Sequence, residues 1–166
     1  NSVMVSLNST STLASISEYV LSAIDSIKNL ESILPRTVEV PVMYGGENGP
    51  DLDKVSKNAG LSSSEVIKRH SEAEYLVYFI GFSIGFPYLG GMDLSIATPR
   101  LDSPRKSVPK GSIGIAGDQT GIYPLSSPGG WNLIGRTEMD IFNVDDPEQS
   151  ALQMGDCVKF IPVEFH

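Results

Sequence analysis

The 166-residue chain carries 12 Lys and Arg against 20 Asp and Glu, a formal charge of -8, with 40% hydrophobic and 19% charged residues. A chain of this size and composition buries a core without disulfide or metal staples, and it lacks the basic face that general nucleic-acid binding requires. Cys157 is alone, and His70 and His166 are the only imidazoles. That inventory excludes internal disulfides and Cys/His zinc sites, and leaves an all-carboxylate site for a hard cation open.

No segment approaches the roughly 18 apolar residues of a membrane helix; the longest run, Tyr75 to Ile80, has strand length. The start, Asn1-Ser2-Val3-Met4, has neither an initiator Met nor a basic signal-peptide region, so the chain is read as a fragment or trimmed product. Asn8-Ser9-Thr10 matches the glycosylation pattern and is taken as chance. The lone thiol fits a reducing compartment, and a cytoplasmic location is expected.

Val3 to Val5 reads as a short strand. Leu13, Ile16, Val20, Ile24, Ile27 and Leu30 then recur at three- and four-residue steps, an amphipathic helix with a Ser15/Glu18 capping box, stopped by Pro35. This piece cannot form a core by itself. Val38, Val40 and Val42 alternate with Glu39 and Pro41, a half-buried strand whose proline marks an edge or bulge. A glycine loop, 44–50, leads to a short helix capped by Asp51 and ended by Gly60. Ser62 and Glu65 open a second helix reaching about His70. Strand-like pieces then alternate with Gly/Pro turns: Tyr75–Phe82, Ser112–Ala116, Trp131–Arg136, Met139–Phe142 and Cys157–Val163. Short strands without a βαβ rhythm predict a mainly β fold, a closed barrel or sandwich with short helices.

Two glycine motifs invite catalytic readings that their contexts do not support. Gly81-Phe82-Ser83-Ile84-Gly85 has the letters of a nucleophile elbow, but Pro87, Gly90 and Gly91 prevent the helix that must follow. The run Gly111–Gly117 precedes neither a helix N-terminus nor Lys-Ser/Thr, so its glycines are assigned to tight packing in a small barrel. Arg100, Arg105, Lys106 and Lys110 form a basic segment, stiffened by Pro99 and Pro104. It suits either an anion or surface acids. Gln119, Thr120, Tyr123, Trp131, Asn132 and Arg136 combine amide, hydroxyl, aromatic and cationic groups suited to a small polar ligand with a planar face; core packing is the alternative for Trp131. His70 ends a helix, where a satisfied core role competes with proton transfer.

Five segments carry a resemblance to a known family. They are Pro41–Gly46, Gly81-Phe82-Ser83-Ile84-Gly85-Phe86-Pro87-Tyr88-Leu89-Gly90-Gly91, Ala97–Arg100, Gly114–Pro124 and Ser127-Pro128-Gly129-Gly130-Trp131-Asn132-Leu133-Ile134-Gly135-Arg136-Thr137. They resemble, in order, the KipI family, also labelled allophanate hydrolase subunit 1 or the B subunit of 5-oxoprolinase. Ile84 stands where that family commonly has proline.

The resemblance implies a cyclophilin-like β-barrel over 37–166, preceded by the last strand and helix of a ferredoxin-like α+β domain within 1–36. It implies a subunit, inactive alone, that works with the A and C subunits of 5-oxoprolinase in opening 5-oxoproline to glutamate. ATP is used by the assembled complex, with no cofactor assigned to this chain. Arg100 and Arg136 would neutralise carboxylate or phosphate, Gln119 and Asn132 would address the ring amide, Tyr123 and Trp131 would exclude water, and His70 would transfer a proton. The family also implies two alternatives: an allophanate or urea-amide hydrolase subunit, and an inhibitor of a sporulation-type histidine kinase. For the latter, Phe82, Ile84, Phe86, Tyr88 and Leu89 would form a docking loop. No metal, nucleic acid or membrane is expected as a partner.

Overall fold

A computed structural model describes residues 13–27, 35–81 and 83–164. The chain divides into two compact units, 1–34 and 35–166. In the first, helix α1 spans Leu13–Ile27. It begins two residues ahead of Ser15, so the expected Ser15/Glu18 box is not its start. The expected strand at Val3–Val5 lies outside the described residues.

The second unit is mainly β. Strands β1 (Thr37–Tyr44), β2 (Tyr75–Ile80), β3 (Pro87–Gly90), β5 (Ser112–Ala116), β6 (Gln119–Ile122), β8 (Asn132–Arg136) and β9 (Cys157–Pro162) close a seven-stranded barrel in the order β1-β8-β5-β6-β3-β2-β9. Closure runs through a parallel β1–β9 pair, Thr37 opposite Cys157 through Val42 opposite Pro162. Pro41 lies ahead of the short antiparallel register with β8, which begins at Met43, so its missing N–H interrupts no bond on that side. Strands β4 (Arg105–Val108) and β7 (Ser127–Gly129) form a separate two-stranded ribbon. Met139–Phe142, expected as a strand, is loop. After β8 the chain leaves the ladder, with the Thr137 hydroxyl accepting from the Met139 N–H and Ile141 buried as an anchor.

Helices α2 (Leu52–Ala59) and α3 (Ser63–Glu72) sit between β1 and β2. Gly60 ends α2 at φ +67, and the Ser62 hydroxyl accepts from the Glu65 N–H at the start of α3. Asp51 departs from its expected role. Its carboxylate does not cap α2 but accepts from the Leu133 N–H at 2.7 Å and from Arg105 Nη2 at 2.8 Å. One acid thereby ties α2 to β8 and to the outer ribbon.

The barrel interior is lined by Val40, Val42, Val77, Leu89, Ile113, Ile115, Ile122, Ile134, Val158 and Phe160. His70, fully buried, enters this apolar space from α3 and stacks on Phe160 with ring centroids 4.6 Å apart. The Thr120 hydroxyl donates to the Gly114 carbonyl, so it accepts from His70 Nε2–H at 3.0 Å; Nδ1 then accepts the Tyr44 hydroxyl proton at 2.8 Å. The chain Tyr44→His70→Thr120→Gly114 leaves the neutral imidazole with no unused nitrogen. Burial pushes its pKa down to about 3 and holds the Tyr44 phenol protonated. These contacts give His70 a structural role, tying α3 to opposite barrel walls, in place of the proton transfer expected of it.

A second apolar layer lies on the outside of the barrel. Gly114 and Gly121 are direct cross-strand partners, flanked by the inward pairs Ile113–Ile122 and Ile115–Thr120. A Cβ at Gly114 would stand 2.9 Å from Trp131 Cβ, and one at Gly121 would stand 2.6 Å from Phe86 Cζ. Both positions therefore form a bare floor on which Phe86 and Trp131 lie, joined by Tyr123, Val108 and Leu133. Phe86 meets Tyr123 and Trp131 edge-on at 5.2 and 5.3 Å.

Two outcomes test this arrangement. Gly121→Ala should cost about 1–3 kcal/mol in urea denaturation, because Phe86 is too enclosed to yield. Acidification should destabilise the barrel through His70. Its native pKa lies below the unfolded value of 6.5, so the unfolded chain binds the extra proton and stability falls between pH 6.5 and about 3. The slope approaches about 1.4 kcal/mol per pH unit. His70→Gln should remove that component, seen as a flatter dependence of unfolding free energy on pH.

Candidate functional site

The outer aromatic layer opens at one end into a slot of about 270 Å3, lined by Tyr88, Arg100, Leu101, Pro104, Pro128, Gly130 and Trp131. Tyr88 comes from β3, Pro128 from β7, Trp131 from the residue before β8, and the remainder from the loops that border the β4–β7 ribbon. Prolines at 99 and 104 stiffen the loop carrying Arg100, and the Leu101 N–H donates to the Gly130 carbonyl at 2.8 Å. The walls are consequently set before any ligand arrives.

Arg100 is exposed, and its guanidinium carbon stands 6.0 Å from the Trp131 ring centroid. Among the described residues no carboxylate pairs with it. The neighbouring Arg105 is consumed by Asp51 and also reaches the Trp131 carbonyl at 3.4 Å. A cation held on an indole face beside an apolar slot can receive a planar anion while the ring covers its flank. Tyr88 extends the wall, stacking on Phe79 with centroids 4.3 Å apart and meeting Trp131 at 6.1 Å.

The residues expected to bind substrate divide by place. Arg100 and Trp131 line the slot. Asn132 is adjacent and fully buried; its amide donates to the Pro99 and Ile115 carbonyls at 2.8 and 3.1 Å, anchoring the Arg100 loop, while Oδ1 has no hydrogen-bond partner among the described residues. Tyr123 is buried within the aromatic layer, where burial raises its phenol pKa. Gln119 sits on β6 opposite Ala116, outside the slot's lining. Arg136 occupies the far end of β8, about 16 Å of extended strand from Trp131. There its Nε donates to the Lys110 carbonyl, and it lines a different hollow with Lys110 and Asp140. The two arginines do not converge.

The expected docking loop is likewise divided. Phe86 and Leu89 are each 1% exposed, the first in the outer aromatic layer and the second in the barrel core, so neither offers a surface. Alternation along β3 explains Leu89, and the bare Gly121 explains Phe86. Ile84 is 64% exposed, Tyr88 belongs to the slot, and Phe82 lies outside the described residues. Tyr88 is the slot residue whose ligand-facing role the sequence reading assigned differently; its stacking between Phe79 and Trp131 depends on register across β2, β3 and β6. Ser83 is followed by strand β3, not a helix, which removes the elbow geometry. Among the described residues no three His, Cys, Asp or Glu side chains converge as metal ligands, and no helix is long and apolar enough to cross a membrane.

Comparison with known proteins accords with this architecture. The chain is 55% identical over 128 residues to the B subunit of 5-oxoprolinase from Bacillus subtilis, covering 77% of this chain and 53% of that protein. It is 47% identical over 149 residues to the B subunit of 5-oxoprolinase from Escherichia coli, covering 84% and 68%. It therefore spans between about half and two thirds of these relatives' lengths. A crystal structure of a conserved protein from Pyrococcus horikoshii superposes with a TM-score of 0.75 at 48% identity, over 91% of this chain and 67% of that one. With residues 1–152 matching the family described as carboxyltransferase domain, subdomain C and D, the chain belongs to that family.

Proposed function

We propose that this chain is the barrel-bearing part of the B subunit of a 5-oxoprolinase, and that the Arg100–Trp131 slot receives the carboxylate and flat ring of a small lactam acid. The observation that carries the reading is Arg100, unpaired among the described residues, over Trp131 at the mouth of a rigid slot of about 270 Å3, on a chain of net charge -8. An anion is held there against the overall field only by a specific local cation. The similarity to two proteins named as 5-oxoprolinase B subunits supports this choice of ligand over allophanate.

Opening a lactam requires its amide carbonyl to be activated. The slot offers a gripping cation and aromatic walls, and His70 is sealed in the core, so activation and water attack are assigned to partner subunits of the A and C kinds, with ATP consumed by the assembly. Arg100 orients the acid, Tyr88 and Trp131 flank the ring and exclude water, and Asn132 fixes the Arg100 loop from beneath. The cytoplasm is the proposed place of work, consistent with the single unpaired Cys157.

Arg100→Ala should remove a charge-assisted contact of about 1.5–3 kcal/mol, an effect on the order of 10- to 150-fold in kcat/KM of the reconstituted complex. Arg136→Ala, remote from the slot, should stay within a few-fold. The isolated chain titrated with 5-oxoproline should show NMR shifts at Tyr88, Arg100 and Trp131. Unchanged turnover in Arg100→Ala, with no shifts at the slot, would remove the assignment.

A further inference from the structure

Between Thr137 and Val158 the chain carries six acidic residues and no Lys or Arg. Two of the six are neutralised locally, Asp140 by Lys110 and Asp156 by Arg36. Among the described residues, Glu138, Asp145, Asp146 and Glu148 have no basic partner. Three of these four fall within 145–148, at a 3-10 turn spanning Pro147–Gln149.

The same segment walls a groove of about 590 Å3 whose surface is largely apolar. Ile80 from the end of β2, Phe142 and Leu152 line it, with Met154 and Glu148 at its border. Met154 is 71% exposed and the adjoining Val144 57% exposed. Ile84 lies in the neighbouring turn, where Gly85 packs so closely on Phe142 that a Cβ would stand 2.1 Å from the ring. The groove is also ordered by its own bonds: the Asn143 N–H donates to Ser150 Oγ at 3.1 Å, and Asn143 Oδ1 accepts from the Asp145 and Asp146 N–H groups at 3.0 and 3.2 Å. A preformed apolar trough therefore runs beside an uncompensated acidic turn.

We infer that this groove docks a basic amphipathic segment of a partner protein, its aliphatic side chains entering between Phe142, Leu152 and Met154 and its Lys or Arg side chains facing Asp145, Asp146 and Glu148. Charge complementarity selects the occupant. A second copy would set the same carboxylates against one another, and an anionic lipid surface or nucleic acid would be repelled. Met154, flexible and polarisable, suits a surface that accepts aliphatic groups of varied shape. The inference is independent of what the Arg100 slot holds, because the groove and the slot share no lining residue.

The test is a titration of the isotopically labelled 166-residue chain with a synthetic Leu/Lys amphipathic helical peptide, with a Leu/Glu peptide of the same pattern as the comparison. The Leu/Lys peptide should shift amide signals at 80–85 and 142–154, and the Leu/Glu peptide should not. Asp145→Lys/Asp146→Lys/Glu148→Lys should weaken binding by about tenfold or more. The control Glu47→Lys/Glu72→Lys/Asp118→Lys, which makes an equal change in net charge elsewhere, should leave it within twofold. Met154→Asp should weaken binding while thermal unfolding stays unchanged, because this side chain is exposed. Equal loss in both triple variants, shifts scattered over the surface, indifference to Met154→Asp, or concentration-dependent self-association shifting the same signals would each overturn the proposal.

Discussion

The structure depends on a pair of missing side chains. Gly114 and Gly121 face each other across β5 and β6, and their bare backbone makes one patch of the barrel wall flat on its outside. Phe86 and Trp131 occupy the space that two Cβ atoms would have taken. A closed barrel ordinarily presents polar groups outward; here one wall is apolar on both faces and needs a cover. The β4–β7 ribbon and the proline-stiffened loop before it supply that cover, with Val108 fully buried beneath. The ligand slot lies where the cover leaves Tyr88, Trp131 and Arg100 accessible.

Polar groups buried around this wall hold the two layers in register. On the inner side, the relay from Tyr44 through His70 and Thr120 ends on the Gly114 carbonyl, within the floor itself. On the outer side, Asp51 receives the Leu133 N–H and Arg105, linking β8 to the ribbon. Each of these groups would be costly if unpaired, and each spans elements distant in sequence. Their satisfaction therefore selects one packing of helix, barrel and ribbon, and with it one position for the Arg100 loop.

Charge is distributed to match. Arg105, Lys110 and Arg36 are paired with acids, which leaves Arg100 as the cation available at the slot. The acidic excess gathers instead in the 138–148 segment, beside an apolar groove bordered by the turn at Ile84. The molecule thus separates two kinds of recognition: a small pocket with one local cation, and a larger trough with carboxylates along its border.

Much of the fold was legible from local pattern. Alternating Val38, Val40 and Val42, the S-x-x-E start of α3 and the αL-compatible Gly60 act over a few residues, so they determine β1, α3 and the end of α2 without tertiary help. The length of uninterrupted apolar runs and the shortage of Cys and His likewise set bounds that folding does not alter, and the glycine-rich motifs carried the family resemblance. Strands β3, β4, β6 and β7 are not legible in the sequence because they are three or four residues long and all but the polar β4 contain Gly or Pro, and only pairing with neighbours makes them strands. Met139–Phe142 has an apolar pattern but no partner strand among the described residues, so it remains loop. The site was decided almost wholly by tertiary structure. Arg100 and Arg136 look equivalent in sequence, yet the run of β8 sends them to opposite ends. Phe86 looks like a surface aromatic until Gly121, on another strand, opens room for it. His70 looks like a proton carrier until the folded barrel surrounds both nitrogens, because solvent access and hydrogen-bond partnership belong to the assembled packing and not to any local stretch of chain.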